Sequence, residues 1–428
     1  MARPQEASAP RHHRDHGGLA RLVERLLGRD APIAISCYDG STAGRPDATV
    51  RLVVRSPDAV RRVLTAPGEL GFGRAYVAGD IDVEGDLFEA LAVGTAARPH
   101  LGALELVELL RFVGDGVVHR LPPPPEEIRL RGRRHSPERD AAAIAHHYDV
   151  SNAFYRMVLG PSMTYSCAVW PDGAGDATLE EAQAAKYELV CRKLGLRPGM
   201  RLLDVGCGWG GMVRHAARHH GVSAVGITLS ARQAEWAERA VAEDGLGDRV
   251  EIRVQDYRHV TDGPFDAVSS IGMFEHVGLA RLGEYFTTLH GLLRPGGRLL
   301  NHGISRPFGG EPRLHRRGFV DRYVFPDGEL HEIGAVVSKV QEVGFEARHL
   351  ESLREHYGLT LRAWVANLER NWSDAVAEVG NGRARVWRLY MAGCALGFES
   401  GRTQVHQLLA VKPDGGRSGL PLRPAFEG

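Results

Sequence analysis

The sequence predicts an α/β protein in two parts: a doubly wound, mostly parallel sheet from about residue 140 onward, preceded by a small α+β unit. Three observations carry that prediction. Short apolar runs alternate with amphipathic helical stretches after Asp140, the rhythm of parallel strands joined by crossover helices. A glycine-rich turn follows the first of those runs, where such sheets receive their ligands. The proline run Pro122 to Pro125 separates this rhythm from what precedes it.

Composition bounds the function. At 428 residues the chain exceeds one ordinary compact core, and 43% hydrophobic with 25% charged residues is normal globular usage. Lys+Arg and Asp+Glu both total 53, so no charge excess recommends nucleic acid as a partner. No run approaches the roughly eighteen apolar residues of a membrane span, and the opening MARPQEASAPRHHRDHGG lacks a signal-peptide core, so a cytoplasmic protein is expected. Cys37, Cys167, Cys191, Cys207 and Cys394 are scattered without CxxC spacing, which argues against a disulfide framework and against a structural zinc site.

Residues 1–18 are aperiodic and read as a disordered tail. GLARLVERLLGRD has helical spacing and opens an N-terminal α+β domain over residues 19–118, with short strand-like runs, turns and one clear amphipathic helix. Residues 119–139, rich in Pro and Arg, form a stiff, solvated linker. The second part, 140–428, begins with the helical DAAAIAHHYDVSNAFYRMVL. There follow RLLDVG and a helix, VSAVGIT and the helix SARQAEWAERAVAED, RVEIRVQ, FDAVSSIG and the helix ARLGEYFTTLHGLLRPGG, then RLLNHGI. Two further helices carry Trp364, Trp372, Trp387, Tyr390, Met391 and Phe398, a stripe that reads first as core.

In LLDVGCGWGG, glycines at alternate positions allow a tight turn and let a ligand approach the backbone with no Cβ in the way. The spacing differs from the dinucleotide GxGxxG and from the lysine-bearing phosphate loop, so a cofactor without phosphates fits better. The motif resembles the first motif of class I S-adenosylmethionine (SAM) methyltransferases. That likeness implies cofactor contacts at Asp204, Gly206, Gly208 and Gly210, with Asp256 of VQDY at the adenine edge. The second strand ends GITLSARQ, without the usual ribose-binding acid, so Thr228 and Gln233 are expected to substitute.

That departure, with HHYDVSNAFYRMVLGPSMTYSCAVW, VQDYR and GMFEHVG in the same order, resembles the cyclopropane-fatty-acyl-phospholipid synthase family, which includes the mycolic acid methyltransferases. The N-terminal unit, through GFGRAYVAGD, resembles the extra domain of the phospholipid-acting members. FVDRYVFPDGELHEIG and SLREHYGLTLRAWVANLERNW look most like the actinobacterial branch that forms 10-methylene-stearoyl lipids from oleoyl phospholipids.

The resemblance implies a methyl transfer from SAM to a cis double bond in an acyl chain, through a carbocation that water must not reach. A base then removes a proton from the transferred carbon. Direct ring closure gives a cyclopropane, and a prior hydride shift gives the methylene. In the family the base is bicarbonate, and its ligands carry over to Cys167, Glu275, His302, Ile304 and Tyr357. Tyr148, Tyr165 and Ser166 fall near the sulfonium end and Ile271 borders the cofactor, while His276 reads as structural. Implied partners are unsaturated phospholipid chains at the inner face of the cell membrane and a flavin-dependent reductase acting on the product; self-association as a homodimer is compatible with the likeness. Taken singly, Cys167 reads as a small buried residue and His302 as a core histidine. His146 and His147 are adjacent on a helix and point to different sides, which argues against a metal. The basic segment Arg129 to Arg139 reads first as a solvated face and second as a lipid headgroup contact. The rivals are a cyclopropane synthase and, more remotely, a small-molecule N- or O-methyltransferase, which would leave Glu275 and His302 unexplained.

Overall fold

The computed structural model describes residues 18–97, 102–113, 120–128, 150–173, 177–309, 318–326 and 328–426. The chain divides into two compact units between Pro123 and Pro124. Residues 1–17 of the expected tail, the basic segment Arg129 to Arg139, and His146, His147 and Tyr148 lie outside the described residues.

The first unit holds a four-stranded sheet in the order β2-β1-β3-β4, formed by β1 (Ala34–Cys37), β2 (Thr42–Gly44), β3 (Arg51–Val54) and β4 (Ile81–Glu84). Its first helix, Leu19–Leu27, buries Leu19, Ala20 and Leu22. A helix start leaves main-chain N–H groups without partners. Here the β1–β2 turn supplies them, since Asp39 accepts from the Leu19 N–H and Ser41 Oγ from the Ala20 N–H, both at 2.9 Å. Helices at Pro57–Thr65, Glu69–Ala78, Leu87–Ala97 and Ala103–Leu110 make this unit more helical than its sequence suggests. The runs around Glu69 and Leu87 have no regular amphipathic period, which hides them.

The second unit is built on β5 (Arg201–Val205), β6 (Ser223–Thr228), β7 (Val250–Val254), β8 (Phe265–Ile271), β9 (Leu293–Arg306), β10 (His331–Glu332), β11 (Glu346–Ser352) and β12 (Gln404–Val411). The main path runs β7-β6-β5-β8-β9-β12-β11, with β10 added beside β9. The strands from β5 to β9 pair in parallel, as the alternation predicts. β12 is antiparallel and is inserted between β9 and β11.

The period of two sorts the strand residues onto two faces. Leu203, Val205, Val225, Ile227, Val268 and Leu299 pack on one face with the helices Leu282–Leu292 and Ile333–Glu342. Leu202, Ala224, Ala267, Leu300 and Leu409 pack on the other with Leu179–Leu194 and Gly211–His220. Both faces being covered explains why the strands read as continuous apolar runs. The winding reverses at β5, which lies between β6 and β8, so a crevice opens beyond the ends of β5 and β8. Among the described residues no helix is long and apolar enough to cross a membrane.

Candidate active site

The turn after β5 holds Gly206, Gly208 and Gly210 at φ of 81°, 53° and 80°, the left-handed region that a side chain strains to enter. The Gly206 and Cys207 N–H groups both donate to the Ile227 carbonyl, at 3.0 and 2.9 Å, which pins the loop against the end of β6. Above this turn lies a cavity of about 130 Å³. Tyr165, Ser166, Asp204, Gly206, Gly208, Thr228, Gln233, Asp256 and Ile271 all line it. Gly210 is not among its walls and serves instead as the N-cap of the following helix. Met163, at φ of 48°, adds a strained non-glycine residue to the same wall.

Asp204 is buried and accepts from Ser269 Oγ at 2.6 Å, and burial lifts its carboxyl to about 6. Thr228 donates its hydroxyl to the Gln233 carbonyl at 2.8 Å, so the two expected substitutes for the missing acid are joined and buried. Asp256 is committed elsewhere: burial opposes its charge, but the Arg258 guanidinium and main-chain N–H hold it below the usual carboxylate range.

Beside this cavity stands the Glu275 group. Glu275 Oε1 accepts the main-chain N–H of Ile304 at 2.6 Å, while Oε2 is buried with no hydrogen-bond partner. Burial raises the carboxyl to about 7, against the pull of that N–H. The resemblance implies that the Ile304 N–H serves an anion and that Glu275 either accepts the bicarbonate proton or orients His302. In the structure Glu275 takes the N–H itself and does not bond His302. His302, on β9, faces Gln407 across the β9–β12 ladder, with Gln407 Nε2 at 3.1 Å from Nδ1. Its Nε2 is buried and has no partner, and burial with the Lys186 and Lys193 ammonium groups holds the imidazole well below its usual value. A buried acceptor without a donor and a buried donor or acceptor on an imidazole are costly unless a ligand completes them.

Cys167 is fully buried and its thiol points at the carbonyls of Ala168 and Leu353, while burial keeps it protonated. Only its main chain can serve an anion. Tyr357, in the first turn of the helix Arg354–Arg370, is pushed well up by burial, and Tyr390, Cys167 and Glu275 lie near enough to add to that push. Thus Cys167 and Glu275 both lie within electrostatic reach of Tyr357. His276 turns its ring to Phe325 and lines the cofactor cavity, with burial pressing it down to about 4.

The aromatic stripe divides here. Tyr165 meets Trp364 at 5.3 Å and Trp387 at 5.7 Å between ring centres, and its hydroxyl lies 3.2 Å from that of Tyr390. Of these rings Tyr165 lines the cavity, whereas Trp372 meets the Arg388 side chain.

Lys186, Gln183 and Lys193 were not singled out from sequence. All three are nearly fully buried on the helix Leu179–Leu194. Lys186 Nζ reaches Ser166 Oγ at 3.1 Å, and burial lowers it to about 7 despite Asp204. The signal was present: positions 183, 186 and 193 share the helix face of Leu179, Ala182 and Val190, where apolar residues belong. Away from the cavity, Cys191, His215 and His220 bring ligating atoms within 4.8 Å of one another. Both imidazole Nε2 atoms also contact Glu188, at 3.3 and 3.0 Å.

Comparison with known proteins bears on this arrangement. The family described as mycolic acid cyclopropane synthetase matches residues 135–408. A probable fatty acid methyltransferase of Mycobacterium tuberculosis is 51% identical over 413 residues, covering 92% of this chain and 95% of the relative. The tuberculostearic acid methyltransferase UfaA1 of the same organism is 33% identical, with 92% and 91% covered. The cyclopropane-fatty-acyl-phospholipid synthase of Escherichia coli K12 is 33% identical, with 91% and 92% covered. The mycolic acid cyclopropane synthase CmaA1 complexed with SAH and CTAB superposes with a TM-score of 0.59 at 35% identity, covering 64% of this chain and 98% of that one.

Proposed function

The chain belongs to the mycolic acid cyclopropane synthetase family, and on that premise we propose that it converts oleoyl chains of membrane phospholipids to 10-methylene-stearoyl chains. At the coarser level it is a SAM-dependent methyltransferase of the fatty acid methyltransferase and cyclopropane synthase group, acting on lipid chains. The finer reading draws on two things: the likeness to the tuberculostearic acid methyltransferase, and the N-terminal unit, which the phospholipid synthase match spans and the CmaA1 match does not. A cyclopropane product is the second reading, favoured by the phospholipid synthase itself.

The observation that carries the proposal is the pair of buried, unpartnered polar atoms, Glu275 Oε2 and His302 Nε2, next to a cavity sized by a glycine turn. Such atoms suit a small ligand that both donates and accepts, as bicarbonate does. Glu275, His302, Tyr357 and the main chains of Cys167 and Ile304 would hold it. For Ile304 that requires the N–H to be shared with Glu275. When bound, SAM supplies an electrophilic methyl group and bicarbonate supplies a base for the proton released on product formation.

The protein's own contribution is placement and dryness. Tyr165, Trp364, Trp387 and Tyr390 pack ring against ring, and such a cluster would keep water from carbons that react beside it. Glu275, poised near neutrality, holds or accepts one proton at Oε2. The Cys167 thiol, protonated and facing carbonyls, offers no competing nucleophile. Asp204, Thr228 and Gln233 position the cofactor's polar ends, and Tyr148 is assigned to the lid by resemblance. Catalysis at the inner membrane surface, a reductase that consumes the product, and a homodimeric state complete the reading. The test is expression in a bacterium fed oleate, followed by mass spectrometry and proton NMR of its phospholipid chains. A gain of one CH₂ with exocyclic methylene protons supports the proposal; cyclopropyl protons select the second reading, and no gain from soluble, SAM-binding protein overturns both.

A further inference from the structure

We infer that a chain of side chains running inward, Glu351 to Lys193 to Gln407, fixes the proton of His302 on Nε2 and so makes the imidazole a donor toward the anion pocket. This deepens the proposed function and rests on it for the identity of the anion, but not for the tautomer.

Gln407 and His302 are directly opposed in the β9–β12 ladder, and both are almost wholly buried. An amide side chain can present either its oxygen or its nitrogen to a neighbour, so something must choose. Lys193 chooses: its Nζ lies 2.7 Å from Gln407 Oε1, and an ammonium group can only donate. The atom it meets is therefore the carbonyl oxygen. The Gln407 NH₂ is left 3.1 Å from His302 Nδ1, and it too can only donate. Nδ1 must then be an unprotonated acceptor, and a neutral imidazole carries its one proton on Nε2.

The protonated ring is excluded by its surroundings. An imidazolium would set a ring N–H against the Gln407 NH₂, and the Lys186 and Lys193 ammonium groups lie near enough to disfavour its charge. Nε2, which receives the proton, is the buried atom with no partner. An N–H aimed into such a place is a built donor for an anion. The far end of the chain is held by Glu351, whose carboxylate contacts Lys193 Nζ and remains about one-third exposed at 36%, while Lys193 is wholly buried. A lysine buried completely on a helix face made for Leu and Val is an expensive way to join a helix to β11. It is explained when its charge orients an amide and biases the pocket toward an anion.

Lys193, Gln407 and Glu351 are thus positioning residues, acting through His302. The test uses the full-length protein labelled with ¹⁵N-histidine, read by NMR at neutral pH, with His302→Gln identifying the signal. The expected wild-type pattern is a pyrrole-type Nε2 and a pyridine-type Nδ1. Lys193→Met frees the Gln407 amide to turn, so the His302 signal should move to the other tautomer or to a mixture. The bicarbonate concentration giving half-maximal rate should rise about tenfold or more while KM for SAM changes less than about twofold. A pyrrole-type Nδ1 in the wild type, or an unchanged pattern in Lys193→Met, overturns the inference. If Lys193→Met does not fold, Gln407→Leu, which keeps the Lys193 to Glu351 contact, must show the same loss of tautomer preference. Should the expected tautomers appear in an enzyme indifferent to bicarbonate, the lock stands and the anion reading falls.

Discussion

The main-chain N–H of Ile304 donates to Glu275 Oε1 at 2.6 Å, tying the turn after β8 to the end of β9 while Oε2 stays buried and unpaired. Burial therefore outweighs the main-chain N–H groups of Ile304 and of Glu275 itself, and the carboxyl rises from its ordinary 4.5 to about 7. A raised carboxyl gives stability that is complete below about 4.5 and is lost as pH climbs to about 7, because the unfolded chain releases its proton first. Glu275→Gln removes that dependence. Melting temperatures of the two proteins should diverge in favour of the variant between pH 5 and pH 8; a constant difference would mean that Glu275 ionises normally.

The same variant separates two roles in catalysis. If Glu275 manages a proton beside the reacting carbons, Glu275→Gln lowers kcat by about a hundredfold or more, the usual weight of a placed acid or base. SAM affinity by calorimetry should hold within about threefold. Equal losses in kcat and in affinity would move Glu275 into the cofactor pocket.

Gly303 sits between His302 and Ile304, and a Cβ there would lie 1.7 Å from the Phe274 ring. Phe274 is fully buried and precedes Glu275 directly, so crowding it disturbs the carboxylate. Gly303→Ala should cost about 1–3 kcal/mol of stability. Its kcat should fall with KM for SAM little changed, and Phe274→Leu in the same chain should recover part of both losses. A Gly303→Ala enzyme of wild-type stability would refute the close packing.

Thr228 and Gln233 line the cavity that we propose holds the cofactor. Thr228→Val leaves the Gln233 carbonyl buried without its donor, at a cost of about 1–3 kcal/mol. We expect KM for SAM to rise about tenfold and kcat to stay within about twofold. An unchanged KM would show that this pair supports the loop and leaves the ribose end to other groups.

Much of this was legible in the chain. Apolar runs with period two on both faces, split by helices, give β5 to β9, and the alternate glycines of LLDVGCGWGG mark the turn that needs φ near +80°. Thr228 and Gln233 stood out because an expected acid was missing, and they meet at 2.8 Å. The antiparallel insertion of β12 was not legible, since the run QVHQLLAV looks the same in either direction and its place depends on which edge of β9 remains unpaired. Gln407 was hidden with it. Lys186 and Lys193 broke a helical apolar face and could have been caught, whereas the partner that justifies each lies far away in sequence. Glu275 was found from its motif, but its bond to Ile304 depends on β8 and β9 lying side by side.

The most direct test of the central claim uses purified protein, oleoyl phospholipid vesicles and SAM carrying a fully deuterated methyl group. A lipid methylated on carbon and then deprotonated at that same carbon keeps two of the three deuterium atoms, and NMR places them on an exocyclic methylene at C10. That result is the one we expect. Retention of all three deuterium atoms in the chain, or transfer of the label to a headgroup nitrogen or oxygen, would contradict the account.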